Sequence, residues 1–162
     1  MFRQDLANME IFQGFSADQL ALIDSSLDTI HFDANTTIFH QDHSANYLYI
    51  LLEGEVEICY KPYDGPLLTV TTVHPGGVFG WSSAMGRAVY TSSAEARCAC
   101  RVYRMNNGQI HNLCANSHQT GVMFLNRLAG VIAQRVSSTH SQVLAIISHG
   151  LDLDNSCYQE ES

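Results

Sequence analysis

A chain of 162 residues, 46% of them hydrophobic, is long enough for one domain with its own core and too short for two of ordinary size. Sixteen acidic residues against eight basic ones leave a formal charge of −8, which repels phosphate backbones and argues against direct contact with nucleic acid. No run approaches the roughly 18 apolar residues of a membrane span, Met1-Phe2-Arg3-Gln4-Asp5 is no signal-peptide start, and Cys59, Cys98, Cys100, Cys114 and Cys157 follow no disulfide framework, so a soluble protein of the reducing cytoplasm is expected.

In chain order, Arg3–Met9 has weak helical character. Phe15-Ser16-Ala17-Asp18-Gln19-Leu20 then carries a full helix start: Ser16 caps, Gln19 reaches back, and Phe15 staples onto Leu20. Leu20, Ile23 and Leu27 give that helix one apolar face.

From about Thr29 the period changes to two. Tyr47, Tyr49 and Leu51 alternate with Leu48, Ile50 and Leu52 in a run apolar on both faces, and Val56, Ile58 and Tyr60 alternate with Glu55, Glu57 and Cys59. Gly54 between the runs is placed for the tight turn of a hairpin. Pro62-Tyr63-Asp64-Gly65-Pro66 is a second turn signal, after which Leu67–Val73 is predicted as a strand with Leu68, Val70 and Thr72 on one face. Pro75-Gly76-Gly77 interrupts before Val78 and Phe79, and further strands are expected at Ser92–Ala96 and Cys100–Met105. Short strands punctuated by turns point to a sandwich, barrel or roll.

Asn106 as cap, Gln109, and Met105 opposite Ile110 repeat the arrangement seen at Ser16, predicting a short helix to about Cys114. A longer helix is expected over 118–148, where Ile132, Val136, Thr139, Val143 and Ile146 step by four, three, four and three, as in a coiled-coil seam. That pattern suggests a parallel homodimer, against the alternative of packing within the chain. The domain is thus drawn as 1–150, with 151–162 a polar, acidic tail.

The segment Phe39-His40-Gln41-Asp42-His43-Ser44-Ala45-Asn46-Tyr47-Leu48-Tyr49-Ile50-Leu51-Leu52-Glu53-Gly54-Glu55-Val56, together with Phe79-Gly80, resembles the cyclic nucleotide-binding domain family over roughly Ile11 to Ile147. The resemblance implies a mainly β fold with flanking helices: a jelly-roll-like, cupin-like β-roll, or double-stranded β-helix, with helices before it and a long helix after it. It also implies a ligand site at Phe79, Gly80, Trp81, Ser82, Ser83, Tyr90, Thr91 and Ser92. In the family a Phe-Gly-Glu cassette offers amides to a cyclic phosphate, the Glu takes a ribose hydroxyl, and an Arg nine residues on pairs with the phosphate. Here the Glu position is Trp81 and the Arg position is Tyr90, so both charges are missing. Losing a charge-assisted pair costs on the order of 1.5–3 kcal/mol, a factor of ten to a hundred or more in binding. Arg87, on the intervening loop three residues before the expected cation site, can swing in only at a loss of that geometry. Gly-Trp-Ser-Ser is similar to the Gly-Trp-Ser-Ala of a bacterial subgroup, often followed by Tyr-Thr as in Tyr90-Thr91, and there the motif does not disclose the ligand.

These residues lead to the expectation of a stand-alone regulatory domain, not an enzyme, that senses a small ligand and signals through its carboxy-terminal helix to a protein partner. The ligand is a cyclic nucleotide or another small anion. The alternatives are a ligand-free interaction scaffold with Trp81 plugging the pocket, or a domain that still binds cyclic AMP or cyclic GMP. A haem or metal sensor is a weaker reading. His31, His40, His43 and His74 show no sequential ligand pattern, Cys98-x-Cys100 lacks the usual spacing, and no metal is assigned. Family transcription factors continue into a winged helix-turn-helix, for which the dozen or so polar residues after Gly150 are too few.

Overall fold

The computed structural model of the chain describes residues 3–137. Residues 1–128 and 129–162 form two units. In the first, α1 (Gln4–Ala7) and a single 3-10 turn (Glu10–Phe12) precede α2 (Ala17–Ser25). The weak signal over Arg3–Met9 yields only one helical turn, as expected of a stretch too short to offset helix nucleation. At α2 the Ser16 hydroxyl accepts from the Gln19 amide while the Gln19 side chain accepts from the Ser16 amide, completing the reciprocal cap. Leu20 and Ile23 are buried on the helix, and Leu27 is buried just beyond its end.

Eight strands follow: β1 (Asp28–Phe32), β2 (Thr37–Phe39), β3 (Tyr47–Glu53), β4 (Val56–Tyr60), β5 (Leu68–Val73), β6 (Val78–Phe79), β7 (Ser93–Ala96) and β8 (Cys100–Asn106). All pairings are antiparallel, β1 with β8, β2 with β7, β3 with β6 and β4 with β5. The strand ribbon thus folds back on itself from both ends toward the β4–β5 hairpin. Lateral pairing of β3 with β8 and of β4 with β7 gathers it into two four-stranded sheets, ordered β1-β8-β3-β6 and β2-β7-β4-β5. This is the jelly-roll-like β-roll expected, with helices on both sides of it in sequence.

Alternation divides β3 between two cores. Tyr49 and Leu51 join Phe39, Val56, Val73, Phe79, Tyr90, Ala94 and Val102 in the interior of the roll, whereas Leu48 and Ile50 are buried on the opposite face. On β8 the same rule turns Cys100 and Val102 inward and buries Tyr103 and Met105 on the outer side. A strand apolar on both faces is what such a two-sided position requires.

The hairpin departs from the sequence expectation at one place. Ile58 pairs with Thr71 but Cys59 pairs with Thr69, so Val70 is an extra residue in the ladder. This bulge breaks the alternation: Cys59 is buried, Tyr60 is 41% exposed, and Leu68 is exposed although Val70 packs on the interior core. Gly54 does not close a hairpin, because β3 and β4 belong to different sheets; it has φ +100, and a Cβ there would lie 2.6 Å from Cys100 Sγ and 2.7 Å from the Ala99 carbonyl oxygen.

Asn106 and Gln109 form the second reciprocal cap and start α3 (Asn107–Asn116), which runs slightly past the expected Cys114. Residues 118–128 are again helical, with Phe124 and Leu128 buried. Phe124 stacks on Phe12 at a centroid distance of 6.2 Å, joining the amino-terminal helices to this segment. In the second unit residues 129–137 are helical. Ile132 is half-buried and Val136 is 60% exposed, while Thr139, Val143 and Ile146 of the expected seam, the rest of the 118–148 helix, the 151–162 tail and Cys157 lie outside the described residues.

Two glycines with similar backbones separate strain from collision. Gly76 has φ +90 but no atom within 4 Å of a built Cβ. We expect Gly76→Ala to cost about 1–2 kcal/mol through the left-handed backbone alone. Gly54→Ala meets backbone and sulfur as well and should cost roughly 3 kcal/mol or more, within the range of severe core lesions. Urea denaturation of the two variants checks the ordering, and equal losses would remove the steric argument for Gly54.

Candidate ligand-binding site

The cassette begins on β6 and turns sharply at Gly80. Phe79 is fully buried in the roll, paired with Tyr49 of β3. Gly80 takes φ +72, and a Cβ would lie 3.0 Å from Tyr49 Cδ2, 3.1 Å from Phe39 Cε1 and 3.1 Å from the Tyr47 carbonyl oxygen. Glycine meets the dihedral without strain and avoids the tight approach. Residues 81–86 then form consecutive turns, held by amide bonds from Met85 to the Trp81 carbonyl at 3.1 Å and from Arg87 to the Ser82 carbonyl at 3.0 Å. Ser82 and Ser83 are buried beneath this turn, Trp81 is half-buried, and the Ser83 hydroxyl donates to the Gly80 carbonyl at 3.4 Å. Among the described residues the amides of Ser82, Ser83 and Ala84 donate to no carbonyl. The turn therefore leaves three consecutive amides without a carbonyl partner among the described residues.

Tyr90 is placed differently from the rest of the predicted set. It is 3% exposed, and its ring stacks on Phe39 at 3.8 Å with planes 15° apart. Its hydroxyl donates to the Tyr47 carbonyl at 2.7 Å and accepts from the Tyr47 amide at 3.0 Å. The backbone around it is tied to the 42–45 segment, through Asp42 and His43 on Tyr90 and through Ala45 on Ala88. At the position where the resemblance implies an arginine, this chain has a phenol whose hydroxyl is satisfied by the Tyr47 backbone. Tyr49 stacks on Phe79 at 5.1 Å and lies 5.7 Å from Phe39, so four rings fill this part of the roll. Each such pair contributes about 0.5–1.5 kcal/mol beyond area burial. Thr91 is exposed and Ser92 half-buried, at the mouth of β7. Phe79, Gly80, Ser82, Ser83 and Tyr90 are therefore inside, and Thr91 is at the surface.

One interior residue is absent from the predicted set. Arg104 shares the inward parity of Cys100 and Val102 on β8 and pairs in register with Tyr49, which pairs with Phe79. Its guanidinium carbon lies 4.1 Å from the centre of the Tyr47 ring, a cation–π contact. The signal was available in the strand alternation, once the Cys100–Met105 run is followed to its polar inward member.

Other chemistry is quiet. The His40 and His43 rings are 4.9 Å apart and both residues are exposed. Among the described residues no group of three or more His, Cys, Asp or Glu side chains can hold a metal, and no helix is long and apolar enough to cross a membrane. Burial pushes the Cys59 and Cys100 thiols up, which disfavours the reactive thiolate.

The phenols give the roll a pH signature. Burial, with Tyr90 alongside, pushes the Tyr49 phenol well above the tyrosine range, and burial also raises Tyr90 against the opposing effect of its Tyr47 backbone bonds. In the unfolded chain tyrosine ionises near pH 10. The folded state favours the neutral phenols, so their contribution is full below about pH 10 and is lost as pH rises toward the raised folded values. Denaturation midpoints should begin to fall above about pH 8.5, where the unfolded Cys59 and Cys100 thiols ionise, and fall more steeply above about pH 10, where the phenols do. Tyr49→Phe should flatten that fall, and an unchanged alkaline slope in the variant would exclude Tyr49 as its source.

The model of the cyclic nucleotide-binding domain matches residues 29–117, spanning all eight strands from β1 to α3 and the 79–83 turn. The CRP-like cAMP-activated global transcriptional regulator of Mycobacterium tuberculosis is 26% identical over 142 residues, covering 88% of this chain and 62% of its own length. The chain therefore spans about three-fifths of the curated relatives it first matches. Among solved structures, a cyclic nucleotide-binding domain from Methylobacillus flagellatus superposes with a TM-score of 0.79 at 18% identity, covering 87% of this chain and 79% of that one. A protein of Geobacter metallireducens GS-15 described as cyclic nucleotide-binding is 30% identical, with a TM-score of 0.68, covering 79% of this chain and 92% of that one. The eight-stranded roll, the glycine-led turn after β6 and this match place the chain in the cyclic nucleotide-binding domain family.

Proposed function

We propose that the chain is a regulatory domain, without catalytic activity, that senses a small ligand at the 79–83 turn and passes the signal through its carboxy-terminal helix to a protein partner. The observation that carries this reading is Gly80: its positive φ, and the 3.0–3.1 Å approach that a Cβ there would make to Tyr49, Phe39 and Tyr47, mark a glycine-led turn suited to accept an anion, although the two charged members are now Trp81 and Tyr90. The amides of Ser82, Ser83 and Ala84, which donate to no carbonyl among the described residues, add to this support. Relatives described as cAMP-activated or cyclic nucleotide-binding support the ligand class, and the lost charges argue that cyclic AMP and cyclic GMP bind weakly here.

Calorimetric titration with cyclic AMP, cyclic GMP and cyclic di-GMP tests this. We expect the mononucleotides to bind at least about tenfold more weakly than a Glu/Arg cassette allows. Tight mononucleotide binding would show that the substitutions at Trp81 and Tyr90 did not remove the site's affinity. A second reading, an interaction scaffold without ligand, draws on the Tyr90–Phe39 stack at 3.8 Å, which closes part of the interior; failure of every titrant would favour it.

The domain acts as a cytoplasmic homodimer in this proposal. Val136, apolar yet 60% exposed on its helix, supports a seam with a second copy, as does the heptad-like spacing of Ile132, Val136, Thr139, Val143 and Ile146. Val136→Asp would place a charge in that seam. Sedimentation velocity should show a dimer becoming a monomer, and an unchanged dimer in the variant would remove Val136 from the interface.

A further inference from the structure

We infer that Arg104 is the cation of this site, supplied from strand β8 in place of the missing loop arginine, and that the ligand presents it with a phosphate or carboxylate oxyanion. The inference rests on the reading of the roll as a ligand site and names the chemistry recognised there.

Three observations support it. The first is position. Asp28, Arg104, Tyr49 and Phe79 occupy directly opposed positions on β1, β8, β3 and β6, a single row across one sheet. Alternation turns Arg104, Tyr49 and Phe79 toward the roll, where Phe79 leads into Gly80 and the turn amides, while Asp28 is exposed on β1. Neighbouring strands are separated by about 4.8 Å, so the Arg104 backbone stands two strand spacings from β6, within reach of a long side chain bridging to a ligand at the turn.

The second observation is the lack of a counter-charge. Arg3 pairs with Asp24 at 3.0 Å, Arg97 with Glu57 at 2.6 Å and Arg101 with Glu53 at 2.7 Å. Arg104 makes no ion pair and no side-chain hydrogen bond among the described residues, even with Asp28 opposite it in register. Its Nε is buried without an acceptor. A buried donor left unmade is costly, and a charged one more so, which makes an oxyanion the natural missing partner. Guanidinium offers two parallel N–H groups that match phosphate or carboxylate geometry.

The third is support. The Tyr47 ring lies under the guanidinium at 4.1 Å, and the Tyr47 backbone is itself clamped at amide and carbonyl by the Tyr90 hydroxyl. Tyr90 thus braces the residue that carries the cation. The same aromatic residue that displaced the family's arginine holds up its replacement.

The test uses 15N-labelled chain, with the Arg104 Nε–Hε resonance assigned by its loss in Arg104→Lys. Inorganic phosphate, titrated against chloride at matched ionic strength, should move that resonance saturably. In Arg104→Gln the phosphate affinity should fall about tenfold or more, with Arg104→Lys in between. A resonance that phosphate leaves unmoved, or undiminished binding in Arg104→Gln at an unchanged melting temperature, overturns the assignment. Should Arg104→Gln not fold, the wild-type resonance and Arg104→Lys decide. Cyclic AMP and cyclic di-GMP form a separate arm: tight nucleotide binding that ignores Arg104→Gln sinks this inference and leaves the sensor reading standing. Phosphate responding at Arg104 while no nucleotide binds does the reverse, keeping the oxyanion site and removing the nucleotide class.

Discussion

The stack of Phe39, Tyr49, Phe79 and Tyr90 is the interaction on which the rest of the roll depends. Phe39 comes from β2 in one sheet, Tyr49 and Phe79 from β3 and β6 in the other, and Tyr90 from the segment between the cassette and β7. Ring contacts therefore tie the two sheets to each other and to the loop that frames the turn. The Tyr90 hydroxyl adds directional bonds to both polar groups of the Tyr47 backbone, which fixes the loop's register as rings alone cannot. Gly80 is then favoured: its φ of +72 suits glycine, and a Cβ would crowd the rings of Tyr49 and Phe39 and the Tyr47 carbonyl at 3.0–3.1 Å.

A roll built this way has exchanged ionic recognition inside the cassette for packing. An arginine at position 90 would need a ligand phosphate to justify its burial and would destabilise the empty domain. Tyrosine has no such requirement, because its one polar atom is satisfied by protein whether or not a ligand is present. The packing of the interior therefore does not depend on a charge at position 90.

Most of the fold was legible because local chemistry and tertiary demand agree. The Ser16–Gln19 and Asn106–Gln109 boxes form as read, and the double-faced run Tyr47–Leu52 sits in the two-sided position its apolarity requires. The bulge opposite Cys59 was not legible, since an unpaired Val70 depends on how two strands align and leaves no mark in either alone. The site divided along the same line. Gly80 and its serines could be found by motif, whereas the inward role of Tyr90 depends on Phe39 and Tyr47, some forty to fifty residues away in sequence. Arg104 was within reach of parity, but a motif search looks for cations where the family keeps them.

That relocation has a physical logic of its own. Tyr90 and Arg104 meet on opposite aspects of one residue, the first on the Tyr47 backbone and the second on its ring. Two guanidinium groups around the same residue, in an interior with no carboxylate paired to either, would repel each other strongly at low local dielectric. A roll with Arg104 facing inward is therefore poorly compatible with a second arginine at position 90, and a tyrosine there removes the conflict while bracing Tyr47. The substitution that erases the family's signature and the cation that the signature does not contain are, on this argument, two halves of one change.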